Sequence, residues 1–148
     1  MDPSQRNVWF ITGCSKGFGL CLVKALLASE QQKFHVTATT RTPDTLLKEL
    51  NEAHLDVSRV LALNVDLMNE DSIRDALNKT VEKFGKIDVI VNNAGFGLTG
   101  CLEEAKTEDF HKLFDINVFA VHKVIRNVLP IMRKQNHGLI LNIASIGA

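Results

Sequence analysis

Residues 12–19, Thr-Gly-Cys-Ser-Lys-Gly-Phe-Gly, constrain this chain more than any other stretch. An apolar run, Val8-Trp9-Phe10-Ile11, precedes them and reads as a buried strand over 8–12. Residues 17–28 follow, with Leu20, Val23, Leu26 and Leu27 at helical spacing. A glycine-rich turn between a strand and a helix lets the backbone bend tightly and come close to a ligand. The free N–H groups and partial positive charge of the helix start then face an anion. An ordinary glycine-rich loop is the competing reading, and the flanking strand and helix weigh against it.

The rest of the chain repeats the alternation. Strands are expected within 34–40, 57–65, 87–92 and 139–143. Helices are expected over 43–53, 69–84 and 107–132, with Gly85 ending the second of these and Pro130 kinking or ending the third. The connections are long enough for parallel pairing, and right-handed crossovers then give a doubly wound α/β sheet. At 148 residues this is one domain, 1–148, with no repeat or linker.

Composition closes off several classes of function. Seventeen Lys and Arg balance 17 Asp and Glu, so charge gives no support to nucleic-acid binding. No apolar run is long enough to span a bilayer, and the polar start at 1–6 leaves no room for a secretory h-region. The three cysteines, Cys14, Cys21 and Cys101, form neither a C-x-x-C pair nor a disulfide framework and are read as buried free thiols. Cytoplasmic residence follows. The five histidines lack ligand spacing, so no metal site is expected.

Further chemistry-bearing motifs stand in order. Asn92-Asn93-Ala94-Gly95 closes the fourth expected strand, and Asp66 follows the third. Asn117 sits in Asp-Ile-Asn-Val within the long helix, and Ser145 follows Leu141-Asn142-Ile143-Ala144. A buried asparagine must be hydrogen-bonded, so Asn117 has at least a structural role. Ser145 is either a polar strand end or a group that binds a reacting oxygen.

Together these motifs resemble the short-chain dehydrogenase/reductase family, whose T-G-x-x-x-G-x-G is matched by Thr12, Gly13, Gly17 and Gly19. The resemblance covers essentially the whole chain and implies a Rossmann-type sheet, here truncated after the fifth strand. It implies that Thr12, Gly13, Ser15, Lys16, Gly17, Phe18, Gly19, Arg41, Asp66, Asn93, Ala94 and Gly95 hold a nicotinamide dinucleotide. It makes Ser145 and Asn117 the catalytic residues, and the substrate a small-molecule alcohol or carbonyl compound. Gly13-Cys14-Ser15, residues 97–100 and Arg41 are most similar to the branch of 17β-hydroxysteroid dehydrogenase type 1 and photoreceptor retinol dehydrogenases. Helix 108–132 is the expected homodimer face.

Arg41 stands where an acidic residue would bind the ribose 2′-hydroxyl of NAD. With Lys16 it favours the 2′-phosphate of NADP, with NAD as the alternative. Asp44 could partly neutralise Arg41, and two solvated cations is the bland reading. The family's acid/base tyrosine and its lysine have no counterpart here, for the chain has no tyrosine and ends three residues past Ser145. A fragment of a longer enzyme is therefore expected, inactive alone, weakly stable, with an exposed apolar fifth strand. A non-catalytic dinucleotide-binding or dimerising module is the other reading.

Overall fold

The computed structural model describes residues 7–30 and 34–145. The polar start at 1–6 and the end of the chain at 146–148 lie outside the described residues. Five parallel strands, β1 (Val8–Ile11), β2 (His35–Thr39), β3 (Val60–Leu63), β4 (Val89–Asn92) and β5 (Leu139–Asn142), form one sheet in the order β3-β2-β1-β4-β5. The chain builds outward from β1 through β2 to β3, then crosses back to β4 and β5. The reversal falls between β1 and β4, where open α/β sheets bind ligands.

The expected helices are present: α1 (Gly17–Ala28), α2 (Pro43–Glu52), α3 (Glu70–Phe84), α4 (Thr107–Phe114) and α5 (Ala120–Gln135). Two apolar clusters sandwich the sheet. On one face Ile11, Val36, Ala38, Val60 and Val91 pack against Val23 and Leu27 of α1 and Leu46 and Leu50 of α2. On the other, Phe10 and Ile90 pack against Ile73 and Leu77 of α3 and Val124, Val128 and Met132 of α5. The alternation of β1, with Phe10 to one side and Ile11 to the other, is what a strand buried on both faces requires.

Local chemistry explains most boundaries. Asn69 caps α3 by accepting the N–H groups of Asp71 and Ser72, and Glu70 and Asp71 suit the positive end of the helix. Gly85 ends it at φ +82°, a left-handed conformation that glycine adopts without penalty.

The third strand is shorter than 57–65. Residues Val57–Arg59 form a 3₁₀ turn, which Asp56 caps by accepting the Ser58 N–H. Arg59 turns inward and is buried. Its Nη2 donates to the Leu27 carbonyl at 2.5 Å, near the end of α1, and its Nε pairs with Asp56 at 3.0 Å.

The long helix expected over 107–132 is not continuous. A five-residue π-helical segment, Asp115–Phe119, separates α4 from α5. Nor does Pro130 end the helix: α5 runs on to Gln135. Pro130 and Arg126 are both exposed, so the hydrogen bond that Pro130 cannot make falls on the solvent side of α5. The cysteine reading also needs correction. Cys14 is buried, but Cys21 and Cys101 are exposed, because α1 buries Gly19, Val23, Leu26 and Leu27 rather than Cys21, and Cys101 lies in the irregular segment between β4 and α4.

The described part of β5 exposes one face. Leu139 and Leu141 are 51% and 37% accessible, and Ile143 beyond them 55%, whereas Ile140 packs on the α3/α5 cluster. No described helix is long and apolar enough to cross a membrane. Among the described residues no group of three or more His, Cys, Asp or Glu side chains gathers as metal ligands.

Candidate dinucleotide site

The turn after β1 and the turn after β4 lie against each other at the C-terminal ends of their strands. Thr12 joins them. Its N–H donates to the Val91 carbonyl at 3.0 Å, and its buried hydroxyl accepts the N–H groups of Asn93 and Ala94, each at 3.0 Å. Asn93 answers through Nδ2, which donates to the carbonyls of Thr12 at 2.9 Å and Gly13 at 3.1 Å. The side chains of Thr12 and Asn93 are thus largely occupied in holding the two turns together. The sequence places these residues in the site but does not show that their polar atoms satisfy the protein first.

The glycines are required by this closeness. Gly13 has φ +73°, and a Cβ there would lie 2.8 Å from Ala94 Cα. A Cβ on Gly19 would strike the Gly13 carbonyl oxygen and come within 2.6 Å of Asn93 Nδ2. Gly17 differs: its φ is +60°, but nothing lies within 4 Å of where its Cβ would be. That position needs glycine for its backbone conformation and leaves open space above the turn.

The start of α1 beside Gly17 has no side-chain cap and no acidic residue in its first turn. The contrast with α3, capped by Asn69 and preloaded with Glu70 and Asp71, is direct. The first N–H groups of an α-helix have no partner within the helix. Here no side chain takes them, and an anion above Gly17 fits them. Ser15, Lys16 and Phe18 are exposed around this point, Phe18 at 83%. Cys14 is fixed below it. Its N–H donates to the Thr39 carbonyl at 2.8 Å, and burial pushes its thiol pKa up to about 12, so the thiol stays neutral.

Arg41 follows β2 on the same edge of the sheet and is exposed. Among the described residues neither it nor Lys16 is held in an ion pair, and the neutralisation of Arg41 by Asp44 is not formed. Asp66, after β3, is exposed. Its Oδ1 accepts the Met68 N–H at 2.9 Å, and its own N–H donates to Ser72 Oγ at 3.1 Å. Ser72 is a supporting residue that the sequence reading missed; its place one turn into a helix that follows an Asp-x-x-Asn turn was the available signal.

Asn117 lies in the π segment and is exposed, not buried as its apolar neighbours suggest. It is paired all the same. Oδ1 accepts the Phe96 N–H at 3.1 Å and Nδ2 donates to the Phe96 carbonyl at 2.8 Å. A Cβ on Gly95 would sit 3.1 Å from that Oδ1, so Gly95 gives the amide room. The asparagine thereby ties the loop after β4 to the wide turn of the helix. Ser145 is exposed beyond β5, next to the strand that bonds to β4 through Asn92 Nδ2 and Asn142 Oδ1 at 2.8 Å. Every candidate residue on β1, β4 and β5 therefore lies at the C-terminal edge of the sheet.

Comparison with known proteins agrees with this arrangement. The family described as short chain dehydrogenase matches residues 7–148. Oxidoreductase BOA17 of Botryotinia fuckeliana is 36% identical over 143 residues, which are 97% of this chain and 50% of that protein. A short-chain dehydrogenase/reductase of Burkholderia phymatum, solved in complex with NAD, superposes with a TM-score of 0.84 at 27% identity, covering 99% of this chain and 51% of the other. ElxO with NADP bound gives 0.86 at 31% identity, covering 96% and 56%. This chain spans about half the length of the curated relatives it matches. With a doubly wound parallel sheet, a glycine turn facing an uncapped helix start, and a family match over nearly its whole length, the chain belongs to the short-chain dehydrogenase family.

Proposed function

We propose that this chain is the dinucleotide-binding part of an oxidoreductase that moves hydride between a nicotinamide ring and a secondary alcohol or ketone, or a retinoid-like carbonyl. One observation carries it. The uncapped start of α1 opens onto a glycine turn with free space above Gly17, at the point where the sheet order reverses. That place suits a pyrophosphate, with Thr12, Gly13, Ser15, Lys16, Gly17, Phe18 and Gly19 forming its floor. Asp66 and the backbone of Asn93, Ala94 and Gly95 would hold the rest of the dinucleotide. The bound nicotinamide would supply the hydride chemistry; the protein supplies orientation and charge. In this reading Ser145 donates a hydrogen bond to the substrate oxygen, and Asn117 supports a proton relay.

Arg41 and Lys16, both exposed and without ion-pair partners among the described residues, favour NADP over NAD. Neighbours with either cofactor bound fit the sheet equally well. The similarity of residues 13–15, 97–100 and Arg41 to the 17β-hydroxysteroid and retinol dehydrogenase branch supports a hydrophobic substrate. We read residues 1–148 as one incomplete domain. Exposed free thiols at Cys21 and Cys101 suit the reducing cytoplasm.

A second reading has its own observation. Phe114, Val118 and Phe119 are exposed along α4 and the π segment. A non-catalytic dinucleotide-binding module that dimerises through 108–132 would present such a face.

Titration of the chain with NADPH and NADH, followed by nicotinamide fluorescence, tests the proposal. Saturable binding of NADPH, tighter than NADH and weakened by Arg41→Asp, is the expected result. Tighter NADH binding, untouched by Arg41→Asp, would reverse the cofactor assignment. A chain that is folded by circular dichroism yet binds neither would overturn the site.

A further inference from the structure

At the opposite edge of the sheet a second polar cluster joins β1, β4 and the turn between α5 and β5. Asp88, immediately before β4, is 7% exposed. Its Oδ2 accepts the Val8 N–H at 2.7 Å and receives Lys86 Nζ at 3.1 Å, and its Oδ1 lies 2.7 Å from His137 Nε2. The other ring nitrogen of His137, Nδ1, lies 3.0 Å from the Gln135 carbonyl oxygen. Gln135 reaches the residue before Asp88, on the approach to β4. Its Oε1 accepts the Ile87 N–H at 3.0 Å and its Nε2 donates to the Ile87 carbonyl at 2.9 Å.

Both imidazole nitrogens therefore face acceptors. A carboxylate and a carbonyl oxygen accept only, and the neutral ring has a single N–H. The imidazolium satisfies both contacts; the neutral ring must set a lone pair against one oxygen. The Val8 N–H and the Lys86 ammonium both lie on Asp88 Oδ2, which leaves Oδ1 to the ring.

We infer that His137 and Asp88 form a proton-operated latch that fixes the start of β5 to β4. The first ladder bond of that pairing, from the Leu139 N–H to the Asp88 carbonyl at 2.9 Å, is adjacent to it. Gly138 lets the turn close, since a Cβ there would collide with the Met132 side chain. The charged groups around the ring are few. From the approach to β4 come Asp88 and Lys86; the last turn of α5 carries Arg133 and Lys134, both exposed; β1 contributes the uncharged Val8 N–H.

The hydrogen bond to Asp88, then that to the Gln135 carbonyl, hold the His137 pKa above its ordinary value, while burial and Lys86 oppose them. The sign follows. The latch is complete below the unfolded histidine value of about 6.5 and is lost as pH rises through the higher folded value. The effect is local to the start of β5, since the Ile143 N–H is held separately by the Asn92 carbonyl at the other end.

Amide hydrogen exchange of the chain, corrected for intrinsic rates, tests this. Protection at Leu139 should fall about twofold or more from pH 6 to pH 8.5, the size of a solvent-accessible ion pair. Ile143, bonded to the Asn92 carbonyl at the far end of β5, should not follow. His137→Gln should remove the pH dependence at Leu139. As a check that needs no loss of the ring, the His137 Cε1 proton should titrate above 6.5, and higher still in Lys86→Met, which removes the competing cation. A midpoint at or below 6.5, or an unchanged pH dependence at Leu139 in His137→Gln, would overturn the latch.

Discussion

Thr12 and Asn93 bind each other in both directions. The threonine hydroxyl accepts the asparagine's N–H, and the asparagine amide donates to the threonine's carbonyl. Two turns separated by most of the chain's folded length are thereby held as a single platform. Thr12→Val keeps the shape but removes the acceptor for two N–H groups, those of Asn93 and Ala94. Leaving a fully buried donor unsatisfied costs about 1–3 kcal/mol, and these two are half-buried. We expect Thr12→Val to lower stability by roughly 2 kcal/mol and Thr12→Ser by well under half of that, because serine restores the hydroxyl. Urea midpoints at constant slope would show it.

The glycines of the turn should separate by mechanism. At Gly17 an added methyl meets nothing and suffers only from the positive φ, about 1–2 kcal/mol. At Gly19 the methyl meets the Gly13 carbonyl and the Asn93 amide, and the Thr12–Asn93 platform must move. Gly19→Ala should therefore be the more destabilising and should reduce dinucleotide affinity by at least about tenfold, or 1.4 kcal/mol. Equal effects of the two substitutions on stability would contradict the close approach at Gly19.

Thiol chemistry gives a readout of folding. Cys21 and Cys101 are exposed and Cys14 is buried, its Sγ donating to the Ile11 carbonyl at 3.2 Å. A maleimide at neutral pH should label two sites on the folded chain and three after urea, as counted by mass spectrometry. The same burial has a pH consequence. The folded thiol pKa is raised from 9.0 to about 12, so its contribution is intact below 9.0 and fades as pH climbs toward the folded value. Unfolding midpoints should decline above pH 9.0 in the chain and less so in Cys14→Ala.

The cap of α3 is open to a simple test. Asn69→Ala removes the acceptor for the Asp71 and Ser72 N–H groups, and should cost about 1 kcal/mol. Asn69→Asp should retain most of it. Circular dichroism melts of the two variants would rank them.

Much of this fold could be read from local signals, since the signals were themselves local. Gly85 and Asn69 mark the ends of α3 through one residue's conformation and one side chain's reach. The turn at 12–19 is recognisable because glycine spacing and the flanking apolar runs lie within a few residues of one another. Where the reading was coarse or failed, the cause lay far off in sequence. Residues 57–59 carry a strand-like composition, but Arg59 bonds to a carbonyl 32 residues away, and Asp56 caps the resulting turn. The π segment has the same character. Nothing in Asp115-Ile116-Asn117-Val118-Phe119 departs from a helical pattern; the partner of Asn117 is the Phe96 backbone, 21 residues distant. For the candidate site, the sequence does not show which polar atoms the fold already uses, as with Thr12, Asn93 and Asp66.

The π segment also sets a rule for insertions and deletions. A wide turn of this kind holds one residue more than an α-helix would in the same span. Removing one residue from 115–119 would restore an unbroken helix without rotating α5, so Ala120, Val124, Val128 and Met132 would still face the sheet. The clasp between Asn117 and Phe96 would be lost, although the core would hardly register the change. Length variation at this spot would therefore escape any screen based on folding and surface only in assays of the site.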